Sequence, residues 1–178
     1  MTPPVSAAIF VDKDGTLVED VPYNVDPARI ALAPGAVEAV EKFASSGYRV
    51  FVVSNQPGAA LGHFPEEKLQ DVERKLRELL DDALDGFYYC PHHPEAGCRC
   101  RKPSPGMLLR AAREHGLSLE RSWMIGDILD DVEAGRRAGC RTCLIDNGNE
   151  TEWKMSDVRR PDRVAADLSQ AAEFILAS

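Results

Sequence analysis

Asp12 and Asp14 stand two residues apart in the run Asp12-Lys13-Asp14-Gly15-Thr16, directly after the apolar stretch Ala7–Val11. Two carboxylates that close repel one another unless a cation lies between them. Gly15 permits a tight turn that brings backbone amides toward an anion. Three further clusters have matching chemistry. Ser54-Asn55-Gln56 follows the apolar run Tyr48–Val53 and offers small polar groups able to hydrogen-bond a phosphate or its transition state. Arg101-Lys102-Pro103 supplies two cations ahead of a rigid turn, and Gly126-Asp127, with Asp130 and Asp131 just beyond, closes another apolar run. Each cluster alone has an ordinary explanation as a solvated turn, a polar pair, a surface charge pair or a helix cap. Their shared position at predicted strand ends and loops on one rim argues for a site.

A fifth cluster is local. Cys90-x-His92-His93 is followed by Cys98-x-Cys100, so three of the five cysteines and two of the four histidines fall between positions 90 and 100. Thiolates and one imidazole can complete a closed tetrahedron around structural Zn2+. His92 is the expected fourth ligand and His93 its competitor, the turn of the loop deciding between them. Cys140 and Cys143 form a second C-x-x-C, but they flank a predicted buried strand and read as core packing.

The elements that must position these groups follow from the apolar pattern. Strands are expected at Ala7–Val11, Tyr48–Val53, Phe87–Cys90, Ser122–Ile125, Arg141–Ile145 and near Val164. Helices are expected after Pro34-Gly35, from Pro65 with Leu69, Val72, Leu76 and Leu79 on one face, over Pro105–His115, over about Leu129–Ala138, and over Ser169–Leu176. Strand–helix alternation predicts one α/β domain over residues 1–178, with a doubly wound, mainly parallel sheet covered on both faces. In such sheets ligands bind beyond the carboxyl ends of the strands, where the four dispersed clusters fall.

Composition narrows the partners. With 21 Lys+Arg against 29 Asp+Glu the formal net charge is −8, which argues against a protein that coats nucleic acid or an anionic membrane. No apolar run approaches the ~20 residues needed to span a bilayer. The opening MTPPVSAAIFVDKDG lacks the basic flank of a signal peptide. The cytosol is therefore the expected address, and a small metabolite the expected partner.

In order and spacing, DKDGT, VVSNQ, RKP and IGDILDD resemble the four motifs of the haloacid dehalogenase superfamily of phosphatases over about residues 7–145. The resemblance implies a Mg2+-dependent phosphatase. Asp12 would be the nucleophile, and Asp14 would protonate the leaving alkoxide and then activate water. Asp12, the Asp14 carbonyl and Asp127 would hold Mg2+ with Asp131 in support, and Ser54 and Lys102 would steady the phosphoryl oxygens. The cysteine–histidine loop with RKPSPGMLL is similar to that of the capless subgroups acting on heptose 1,7-bisphosphate or on histidinol phosphate, leaning toward the former. In that subgroup Arg101 would contact substrate, as would the loop from Glu19 to Asp26, including Asp20 and Tyr23, with Asn55 and Gln56 beside the phosphate. Two departures leave the substrate open: Leu61 replaces an arginine after the second motif, and Ile128 follows the fourth-motif aspartate where a cation can stand. A monomer is compatible with this size. A zinc-organised binding module on an inactive scaffold is the competing reading, disfavoured by the intact Asp12/Asp14 pair and the acidic charge.

Overall fold

A computed structural model describes residues 5–178. Residues 1–4, the start of the expected single domain and of the segment expected not to be a signal peptide, lie outside it. Six strands form one parallel sheet: β1 (Ala8–Val11), β2 (Arg49–Asn55), β3 (Gly86–Cys90), β4 (Trp123–Gly126), β5 (Arg141–Ile145) and β6 (Arg163–Ala165). Their spatial order is β3-β2-β1-β4-β5-β6. The helices are α1 (Ala36–Ser45), α2 (Lys68–Leu79), α3 (Gly106–His115), α4 (Leu129–Ala138) and α5 (Leu168–Leu176).

Short β-rich runs become strands here because both of their faces find apolar cover. Along β1, Ile9 and Val11 pack with residues of α1, α2 and α5 on one face. The alternate residues Ala8 and Phe10 pack with Met107, Leu108 and Ala111 of α3 on the other, as the two-residue period of a strand requires. Leu129 and Val132 of α4 close over Leu144 beside them. The predicted sheet is therefore present and wholly parallel. Cys140 and Cys143 are buried in it, and burial pushes both thiols up to about 12, so they act as small core hydrophobes.

Two details of the second helix differ from expectation. It begins at Lys68, not Pro65, because tight turns from Pro65, Glu66 and Glu67 to the amides of Lys68, Leu69 and Gln70 precede it. Its buried side also carries Leu69, Val72 and Leu76 onto Leu80, leaving Leu79 only half-buried. The second strand runs two residues past its expected end, to Asn55, and the remaining strand and helix boundaries move by one residue or not at all. Strand order reverses between β1 and β4, the two central strands, and the crevice outside their carboxyl ends is where the dispersed clusters meet.

Candidate active site

Lys102 is the centre of the crevice. Its Nζ donates to Asp12 Oδ1 at 2.6 Å, to Asp131 Oδ1 at 2.6 Å and to the Val53 carbonyl at 2.9 Å. The side chain is only 2% exposed and Asp131 1%, so the ammonium exchanges hydration for three acceptors. Burial works against its charge, but the two carboxylates more than offset that and hold its pKa above the ordinary lysine value.

The backbone that delivers Lys102 is fixed by β2. Asn55 accepts from the Lys102 amide at 2.9 Å and donates to the Lys102 carbonyl at 3.1 Å. Both ends of the Asn55 amide are thereby occupied by the segment carrying the lysine, so its contacts are those of a positioning group. Gln56 is buried and donates to Asp14 Oδ2 at 3.0 Å and Ser54 Oγ at 2.7 Å. Asp14 also takes Lys13 Nζ at 2.6 Å. Ser54 is buried beneath this pair.

Two glycines make the crevice possible. Gly15, at φ +81°, turns the chain after β1, and a Cβ there would meet Asp127 Oδ2 at 2.3 Å. Gly126 ends β4 where a Cβ would meet Asp131 Oδ2 at 2.1 Å. That close approach lets Asp131 Oδ2 accept from the amides of Asp127 and Ile128 at 3.1 and 3.3 Å, closing the first turn of α4.

One carboxylate oxygen each from Asp12, Asp127 and Asp131 lie within 4.8 Å of one another, a spacing a cation could share. Both oxygens of Asp131 accept hydrogen bonds, and so do those of Asp12, from Lys102 Nζ and, at 3.5 Å, from Thr16 Oγ1, whereas Asp127 accepts through Oδ2 alone. Burial pushes Asp12 up to about 7 against the attraction of Lys102, with Asp131 and Asp14 adding to the rise. Burial and the Asp12 charge together push Asp127 up to about 7. Three buried carboxylates facing one ammonium carry surplus negative charge, which a divalent cation would offset.

Asp12, Asp14, Asp20, Asn55, Arg101 and Lys102 are among the residues lining a cleft of about 370 Å³ over these groups. Arg101 also borders an adjoining cleft of about 220 Å³, and its buried Nη1 has no partner among the described residues. Within the loop expected to reach substrate, Asp20 lines the main cleft but Glu19 and Tyr23 do not. Tyr23 instead stacks on His63 with ring centroids 3.9 Å apart, giving that histidine a partner the sequence did not reveal. A larger cavity of about 440 Å³, bordered by Arg121 and Arg141, lies at the opposite, amino ends of the strands, away from every cluster.

The 90–100 loop gathers a second set of donors. His92 Nδ1 lies 3.4 Å from Cys90 Sγ and 3.1 Å from Cys100 Sγ. The sulfurs of Cys90, Cys98 and Cys100 are 3.0 to 3.6 Å apart. A tetrahedral zinc site requires separations of about 3.5–3.8 Å between such ligands, so the cluster is nearly at metal-binding spacing. His93 turns away and accepts from the Glu95 amide at 3.1 Å. Burial opposes ionisation of Cys98, but hydrogen bonds led by that of the Arg101 backbone bring it down to about 6.

One group of site-bracing residues was not predicted. Asn149, between β5 and β6, donates to Asp127 Oδ2 at 2.7 Å, and Asn147 donates to the Gly15 carbonyl at 2.8 Å. The only sequence signal is Asn-x-Asn just beyond the carboxyl end of a predicted strand.

With this geometry in place, the comparisons are specific. Residues 99–171 match a family of HAD-hydrolase-like proteins. The chain is 36% identical to the D-glycero-beta-D-manno-heptose-1,7-bisphosphate 7-phosphatase of Photorhabdus laumondii, covering 96% of this chain and 90% of the relative. It is 34% identical to the D-glycero-D-manno-heptose-1,7-bisphosphate 7-phosphatase of Thermosynechococcus vestitus, covering 94% of each. Among solved structures, the D,D-heptose 1,7-bisphosphate phosphatase of B. bronchiseptica, complexed with magnesium and phosphate, superposes with a TM-score of 0.85 at 31% identity. That match covers 96% of this chain and 98% of the other.

Proposed function

The chain belongs to the HAD-like phosphatases of the heptose bisphosphate group, and from that premise we propose that it removes the 7-phosphate of D-glycero-D-manno-heptose 1,7-bisphosphate. The observation that carries the mechanism is the buried ammonium of Lys102, held at 2.6 Å from both Asp12 and Asp131 where they line the cleft of about 370 Å³.

Asp12 and Asp127, with the Asp14 carbonyl, would hold Mg2+; the chemistry of these hard oxygen donors fits that ion, and Asp131 supports them. Bound there, Mg2+ supplies charge neutralisation between the carboxylate and the phosphate dianion. The Asp12 carboxylate oxygen forms a bond to phosphorus as the bond to the sugar oxygen breaks, and the Asp14 carboxyl donates its proton to that alkoxide. Water then adds to phosphorus, its proton passes to Asp14, and the Asp12 carboxylate leaves as inorganic phosphate is released. Lys102 and Ser54 stabilise charge on the phosphoryl oxygens, the dominant form of help in phosphoryl transfer. Lys13 and Gln56 hold the Asp14 carboxyl in place for its two proton transfers. Arg101 and Asp20, which both line the cleft, face the rest of the substrate.

Cys90, His92, Cys98 and Cys100 would hold structural Zn2+ and fix the loop that runs straight into Arg101 and Lys102. The reading is of one domain working in the cytosol on a small phosphorylated metabolite, as a monomer, without nucleic-acid or membrane partners. No helix among the described residues is long and apolar enough to cross a membrane. The test is steady-state hydrolysis of both heptose 1,7-bisphosphate anomers against histidinol phosphate, with and without Mg2+. Magnesium-dependent preference for a heptose bisphosphate is expected, and preference for histidinol phosphate overturns the substrate assignment. Elemental analysis of the purified protein is expected to find one zinc per chain.

A further inference from the structure

The chain between β5 and β6 makes a long excursion over the crevice, and its contacts converge on the loops that carry the site. Asn147 donates to the Gly15 carbonyl at 2.8 Å and Asn149 to Asp127 Oδ2 at 2.7 Å. Glu150 Oε2 accepts from the Leu129 amide at 2.7 Å at the start of α4. Farther on, Arg159 reaches back to Asp130 at 2.6 Å and Glu133 at 2.7 Å on the same helix. The segment thus grips the turns after β1 and β4 with its first residues and α4 with its far end.

Asn149 is the one side chain of this excursion that touches a proposed metal-binding carboxylate. Its own backbone is held in turn, its amide donating to Asn147 Oδ1 at 3.2 Å. Donation of an N–H to Oδ2 fixes the plane of the Asp127 carboxylate, which lines the cleft. A Cβ at position 15 would come within 2.6 Å of Asn149 Nδ2, so the three parts are fitted against one another. Partners of this kind orient metal-bound groups, and their loss commonly costs about 10–100-fold in metal affinity.

We propose that Asn149 is a positioning residue for the divalent cation, acting through Asp127, and that residues 147–159 form a strap that holds it in register with the nucleophile loop. The proposal rests on the Mg2+ site assigned above. Its test is direct binding of Mg2+ by calorimetry, and of Mn2+ by loss of the free-ion EPR signal, on the full chain without substrate. Asn149→Ala is expected to weaken binding at least about tenfold while kcat at saturating Mg2+ stays within about threefold of the unsubstituted protein. Asn149→Ser, which keeps a donor, is expected to recover part of that loss and guards against a folding defect. Arg159→Ala, at the far end of the strap, is expected to lower the melting temperature with a smaller change in affinity.

Binding by Asn149→Ala within about twofold of the unsubstituted protein overturns the proposal. So does a fall in kcat at saturating metal with affinity unchanged, which would make Asn149 a substrate-contacting residue. Failure of the unsubstituted chain to bind either ion strikes instead at the metal site itself, and the strap proposal falls with it.

Discussion

The two candidate metal clusters solve the same problem by opposite routes. Asp12, Asp127 and Asp131 come from two central strand ends and a helix, and a buried lysine already offsets part of their charge. The cysteine–histidine cluster comes from one continuous stretch, 90–100, that starts on the last residue of β3 and whose side chains hydrogen-bond to one another. The sheet builds the first cluster whether or not an ion is present. The second is anchored through Cys90, Cys98 and Cys100 against the α3 side of the core, and a zinc ion bound there would tie those anchors together. The two meet in sequence at Cys100-Arg101-Lys102, so geometry in the soft-ligand loop passes directly to the lysine of the hard-ligand crevice.

Four substitutions or conditions separate these routes. Asp12→Asn removes the proposed nucleophile and leaves the 90–100 loop untouched. Phosphate release is expected to fall by at least about 10⁴-fold with the far-ultraviolet circular dichroism unchanged, and residual activity near the unsubstituted level sinks the assignment. Lys102→Met strips the carboxylates of their internal cation. It should cost about 10²–10³-fold in kcat and about 3 kcal/mol of stability in urea unfolding. A large loss of stability without loss of activity would show that the lysine serves the fold alone.

Cys98→Ser attacks the other cluster. Zinc content should be lost and kcat should drop by about tenfold, while Mg2+ affinity stays near its original value. Equal losses of zinc and magnesium would erase the distinction between the regions. The smallest effect concerns pH. Asp127 sits at about 7 in the folded chain against an ordinary 3.8, so the folded state holds a proton that the unfolded state releases. Stability from this group is therefore full below about pH 4 and declines as pH rises to about 7. A bound divalent cation replaces that proton, so the rise in melting temperature on adding Mg2+ should be greater at pH 8 than at pH 6. The reverse order would contradict the raised carboxylate.

How far the sequence reveals this molecule depends on whether a feature is local. The limits of α4 and β5 are legible because apolar spacing and the Gly139 stop lie within a few residues. The Cys–His cluster is legible for the same reason, although the choice of His92 over His93 required the turn made by Glu95. The start of α2 was misplaced because Pro65 marks a preceding turn as readily as a helix's first position. Leu80 replaces Leu79 in the core because the helix ends at Leu79 and the residue after it, no longer helical, turns inward. Asn55 sits inside a recognisable motif, yet its partner Lys102 is far along the chain and no periodicity links them. Asn149 was missed for a related reason: a polar stretch without a repeating pattern gives no hint of what it will touch.

The wide sequence separation of the crevice has a consequence for how the protein folds. Asp12 and Lys102 are 90 residues apart, and the lysine's other carboxylate enters only with the strand that follows on the opposite side of β1. Contacts between such remote segments form late, because the intervening loops must be closed before they bring any gain. A chain released with β4 still unpaired would hold neither a buried ammonium nor a phosphate cradle. Completion of the central strand pair is thus the event at which the chain acquires its chemistry, and activity should regain its full value only with the slowest phase of refolding.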